Sequence, residues 1–151
     1  MRMPHVNNTL LANLTRGMAA GLVATGAMSV VLAAAHKVGA IGRQPPEIIV
    51  DSFLPQLPVD KKRMLALIAH FGYGSAAAAA YAAALPTLFR GVTSGTVYGA
   101  AVWLAGYEGW LPMMGILPPA HRDDRRRVGT MVAGHLVFGA ALGLILRRRR
   151  G

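Results

Sequence analysis

Few side chains in this sequence carry chemistry, and those few stand in unusual company. His70 and His135 lie inside long apolar runs, while Glu108 and His36 close two others. An ionisable group in such a run is expensive to bury in hydrocarbon, so each is a candidate functional residue. Helical spacing puts His70 on one face with Tyr73, Gly74, Ala77 and Tyr81. It puts His135 on one face with Phe138, Gly139 and Leu142. If both faces turn inward, two imidazoles meet beside Glu108, with His36 near the same end.

Such a cluster offers three kinds of chemistry. Imidazole nitrogen binds transition metals, so a metal, if any, would fall to His70 and His135. Imidazole also gains and loses protons near neutral pH, which suits a proton or ion relay. Two histidines on different helices could hold a haem iron axially, with the neighbouring glycines making room for the macrocycle. The plainest role stands beside these: each histidine hydrogen-bonds a carbonyl or hydroxyl of an adjacent helix and fixes the packing.

Other chemistries are excluded or unsupported. The chain has no cysteine, which removes disulfides, thiolate metal sites and thiol catalysis. Ser75, Ser94 and Thr96 have no evident base partner, and no phosphate loop, dinucleotide fingerprint or zinc-protease motif occurs. The reading therefore leans against an enzyme. A net charge of +10 is compatible with nucleic acid, but the basic residues flank apolar runs rather than forming a face. That placement fits anionic phospholipid headgroups, and nucleic-acid binding is not expected.

The elements that must position these residues follow from hydropathy. With 54% apolar and 15% charged residues, mean hydropathy reaches +0.41, high for a soluble domain of this length. Four segments are long enough to cross about 30 Å of hydrocarbon: residues 16–36, 64–85, 92–111 and 128–146. They are apolar nearly all round rather than striped. The expectation is one all-α polytopic membrane domain, residues 1–151, with four transmembrane helices. A signal peptide cleaved after Ala35 is the rival for the first segment, but that run is long and glycine-rich for a signal core. Tyr107, Trp110 and Trp103 are expected to belong partly to the interfacial belt, and Asp123 and Asp124 to a solvated charge cluster with Arg125 to Arg127.

The halves resemble each other. Residues 17–46 laid over residues 90–119 pair Gly26 with Gly99, Gly42 with Gly115, and Pro45-Pro46 with Pro118-Pro119. The segment at His70 then lies over that at His135. The pattern predicts two tandem hairpins in parallel repeat, placing both histidines at similar depth. Proline starts a turn or an interfacial helix here, so a short helix is expected over residues 47–57. The small residues Gly17, Gly21, Thr25, Ser29, Gly95 and Gly99 mark helix-packing ridges. The arginine run at residues 147–150 ends the last span and favours cytoplasmic termini.

The run Met113-Met114-Gly115-Ile116-Leu117-Pro118-Pro119, followed by Gly134-His135-Leu136-Val137, resembles the YagU-like family of bacterial inner-membrane proteins. The likeness is best over residues 91–150 and looser at Pro45-Pro46 and His70. It implies a multi-pass inner-membrane location and carries over no catalytic residue. The expected function is the handling of protons, ions or a bound cofactor through the histidine and glutamate cluster. The alternative is a structural or assembly subunit that docks on a membrane-protein partner, or on a second copy of itself.

Overall fold

The computed structural model describes residues 5–147; Arg2 and Arg148 to Arg150 of the basic termini lie outside the described residues. Among the described residues every regular element is helical. Helix α1, His5–Lys37, leads through a loop to the short α2, Pro45–Phe53, and then to α3, Val59–Ala84. A 3-10 turn at Thr87–Phe89 precedes α4, Val92–Trp103, which widens into a π-helical stretch, Leu104–Trp110. The short α5, Leu111–Met113, ends that run, and a 3-10 turn at Ala120–Arg122 leads into α6, Arg125–Leu146.

Three stretches are long and apolar enough to cross a bilayer: Thr9–Lys37, Val59–Ala84 and Arg125–Leu146. A third of each apolar window is buried within the chain. The remainder leaves Leu22, Val23, Val30, Leu67, Ile68, Leu144 and Ile145 exposed on outward faces. An apolar exterior of this extent is the mark of a membrane protein. The first helix starts well before the expected residue 16; α3 and α6 begin a few residues earlier than expected, and α4 begins at the expected Val92. The third expected span departs most. Residues 92–113 are helical throughout, yet the α-helical part of α4 is 12 residues, about 18 Å long.

The π-helical stretch has a local cause. Pro112 lacks an N–H, and in a regular α-helix its ring would clash with the carbonyl four residues back. Widening the preceding turns relieves this, and the N–H of Leu111 bonds to Gly106, five residues back. Gly106 and Gly109 lie within the stretch and crowd no neighbour at the wider radius.

Packing joins α1 to α3, α4 to α6, and the two pairs through α1 and α6. Glycine makes the close approaches. A Cβ on Gly95 would lie 2.2 Å from the carbonyl oxygen of Gly139, and one on Gly99 would lie 2.1 Å from that of His135. On the other pair, a Cβ on Gly17 or Gly21 would come within 2.7 Å of α3 atoms at Ala78. The expected ridges are thus consumed inside the chain, where backbone contact supplies attraction that lipid cannot. Ala24, Met28 and Leu32 of α1 meet Met131, Phe138 and Leu142 of α6 in the core between the pairs.

The helix ends are closed by side chains. Asp124 caps α6 by accepting from the N–H groups of Arg126 and Arg127, at 2.9 and 3.1 Å. Arg90 is 7% exposed and folds back on the end of α3. Its Nε donates to the carbonyl of Leu85 at 2.8 Å, and its Nη2 donates to that of Ala82. It thereby satisfies carbonyls that the helix leaves open and complements the negative end of the helix dipole.

Candidate functional site

Inside the bundle lies a cavity of about 320 Å³. Its wall takes Thr25, Met28 and Leu32 from α1, and Ala69, His70, Tyr73, Gly74 and Ala77 from α3. Met131, His135 and Phe138 come from α6, and Val102, Gly106, Tyr107, Trp110 and Leu111 from the α4–α5 run. Pro45, Pro46 and Ile49 of α2 also line it. The two histidine faces expected from helical spacing therefore do meet at one chamber. Tyr73 is 49% exposed and Ala69 is exposed, which marks where the chamber reaches the outer surface. The neighbouring Leu67 and Ile68 are exposed apolar side chains, so that opening lies on apolar surface.

The chamber is apolar apart from a few atoms. The Nδ1 of His135 lies 2.8 Å from the carbonyl oxygen of Met131, on its own helix. A carbonyl only accepts, so Nδ1 carries the hydrogen and the neutral ring offers Nε2 as an acceptor. Nε2 of His70 is buried and has no hydrogen-bond partner. The hydroxyl of Thr25 is likewise buried without a partner, pressed against Gly74. Buried polar atoms are normally paired; these two belong to residues of the chamber wall but are themselves closed off from its space. His135 does form the bond to a carbonyl that the plainest role required, but within its own helix.

Other expected members do not join the chamber. Glu108 is exposed, and its Oε1 accepts from the N–H of Ala120 at 2.8 Å. It tethers the loop after α5, so the wider π turn directs Tyr107 and Trp110 inward and leaves Glu108 outside. His36 is also exposed, with Nδ1 donating to the carbonyl of Gly42 at 2.9 Å. The expected four-member cluster is thus a pair of histidines with Tyr73. Among the described residues no three histidine, aspartate or glutamate side chains gather as a metal site.

The loop motifs behave differently from each other. Pro45 and Pro46 occupy the first turn of α2 and face the chamber. Pro118 is exposed and Pro119 half-buried, and neither lines it. Gly115 has φ +69°, a left-handed conformation that ends the run after α5.

Two polar clusters were missed or misread from sequence. The hydroxyl of Tyr107, on a residue 3% exposed, donates to Oδ2 of Asp123. Arg127 Nη1 donates to Asp123 Oδ1 at 3.1 Å. The Asp123 side chain is 5% exposed, so it belongs to a buried triad behind the chamber wall rather than to a solvated cluster. Tyr107 correspondingly lies in the core rather than the interfacial belt, stacked on Trp103 with centroids 5.8 Å apart. The second cluster fastens α2 to α3: Asp51 accepts from Lys62 and, at 3.1 Å, from Arg43. Those bonds hold the Asp51 carboxyl below its ordinary pKa.

The helices and chamber define a helical membrane protein with a two-histidine apolar cavity that opens at one side. The chain belongs to a family of unknown function, DUF6789, whose model matches residues 11–151. No curated protein and no solved structure matches it.

Proposed function

We propose that this chain is a four-span inner-membrane protein that holds a small, neutral, lipophilic ligand in the His70–His135 cavity. The observation that carries the reading is an apolar chamber of about 320 Å³ lined by His70 and His135 from two helices. That volume falls within the range of small-molecule sites, which are mostly apolar with a few placed polar groups. The wall also argues against a cation. A desolvated cation there meets no carboxylate, since Glu108 lies outside, and the desolvation penalty is several kcal/mol, roughly. Opening onto apolar surface suits a ligand that arrives from the bilayer.

The four-span topology is supported by correspondences between the hairpins. Gly21 lies against Gly74 and Ala78, as Gly95 lies against Gly139 and Gly143. By contact, Gly17, Gly21 and Thr25 thus answer to Gly91, Gly95 and Gly99, one residue out of step with the pairing of Gly26 and Gly99. By conformation, Gly39 rather than Gly42 answers to Gly115, with φ +72° and +69°. The hydrogen bonds from Ala40 to Ala35 and from Ile116 to Leu111 close the two runs alike, at 2.8 and 3.0 Å. The register slips between α4 and Gly115, where the π turns take up extra residues. The fourth span is then residues 92–113, with the π turns as its inner lining. The YagU-like resemblance of the second half agrees with such a location.

The test is extraction of small molecules from protein purified with its native lipid, followed by mass spectrometry. Wild-type protein is expected to retain a lipophilic species near one per chain, and Ala77→Phe, which fills the cavity, to lose it. Equal small-molecule content in both proteins overturns the reading.

A further inference from the structure

We infer that the cavity selects a hydroxyl-bearing aromatic, a phenol or quinol headgroup, which donates its O–H to Nε2 of His135. The inference rests on the ligand-binding reading above and adds the chemical class.

The donor requirement comes from His135. Its Nδ1 hydrogen is committed to the Met131 carbonyl at 2.8 Å, which leaves a lone pair on Nε2 of the neutral ring. A quinone, ketone or ether offers only acceptors and would leave that nitrogen unpaired beside its own oxygen. An unmade bond of this kind costs about as much as desolvating the buried group. A hydroxyl satisfies it. Nε2 of His70 is buried and closed off from the chamber space, so the selection rests on the bond to His135.

The ring requirement comes from the wall. Tyr73, Tyr107, Trp110 and Phe138 reach the same cavity from three parts of the chain. Aromatic side chains favour offset or edge contacts with a flat ring, which an aliphatic alcohol cannot return. Apart from the imidazoles, no lining side chain is ionisable at neutral pH, so a carboxylate or ammonium ligand meets no counter-charge.

The test uses full-length protein in lipid nanodiscs and two probes of nearly equal shape, 1-naphthol and 1-methylnaphthalene. Concentrations are expressed per lipid, so that partitioning cancels. Binding is read from the tryptophan emission, since Trp110 lines the cavity and Trp103 stacks behind it on Tyr107. Saturable binding of naphthol, with methylnaphthalene about tenfold weaker, is expected. His135→Phe should bring the two affinities together while both still bind, and Ala77→Phe should weaken both. Equal, saturable affinities in the wild type overturn the hydroxyl assignment and leave the cavity reading standing. Absence of saturable binding by either probe overturns both.

Discussion

His135 is tied to Met131 by a hydrogen bond within one helix, 2.8 Å from Nδ1 to the carbonyl oxygen. The bond fixes both the ring's orientation and its tautomer before any ligand arrives. Its consequence is a fixed acceptor at Nε2 on the wall of an otherwise apolar chamber. His70 brings the second imidazole from α3 with no such tie at Nε2.

The close packing of α4 on α6 gives a sharp stability expectation. Gly139→Ala places a Cβ 2.2 Å from the carbonyl oxygen of Gly95, which no side-chain motion can relieve. A loss of about 1–3 kcal/mol is expected, the usual effect of overpacking. Gly129→Ala, where nothing lies within 4 Å, should leave the unfolding midpoint unchanged or slightly raised. Unfolding of both variants in mixed micelles checks the contrast.

Tyr107→Phe removes the donor from a carboxylate whose side chain is 5% exposed. Destabilisation of about 1–3 kcal/mol is expected, since Asp123 keeps only Arg127 and its own backbone neighbour. Asp123→Asn should cost less in combination with Tyr107→Phe than the two single changes summed, because they share one bond. A double-mutant cycle by reversible unfolding measures this.

The fastening of α2 should be pH-dependent, with a definite sign. Lys62 and Arg43 lower the Asp51 pKa below 3.8, so the folded group holds its proton less tightly than the unfolded one. The contribution is complete above the unfolded value and is lost as pH falls through the lower folded value. Proteolysis of the segment around α2 is therefore expected to quicken only in strongly acidic solution. Asp51→Asn should be cleaved faster at neutral pH and show no such acid limb. Since Asp51 lies near solvent, the effect should be local and weakened by salt.

Much of the architecture was legible because lipid leaves one strong signal, an apolar run of helical length. The two histidine faces were legible for a related reason. Tyr73, Gly74 and Ala77 follow His70 at helical spacing, as Phe138 follows His135, and small or aromatic residues there mark the side turned from lipid. Glu108 was misplaced because spacing arguments assume 3.6 residues per turn, and the run from Leu104 to Trp110 is π-helical. The signal was present in Gly106, Gly109 and Pro112, yet its direction depends on which carbonyls Pro112 displaces. The burial of Asp123 was illegible for another reason. It depends on Tyr107, sixteen residues away, which reaches it only once the loop after α5 has folded back. Neighbouring arginines in sequence made the same residue look solvated.

The most direct test of the chamber is nitrogen NMR of histidine side chains in labelled protein, titrated in nanodiscs with either naphthalene probe. The resonances of His70 and His135 are expected to shift together, with one shared midpoint, while the exposed His36 and His121 stay still. Shifts that grow linearly without saturation, or that appear equally at His36 and His121, would contradict a common binding chamber between α3 and α6.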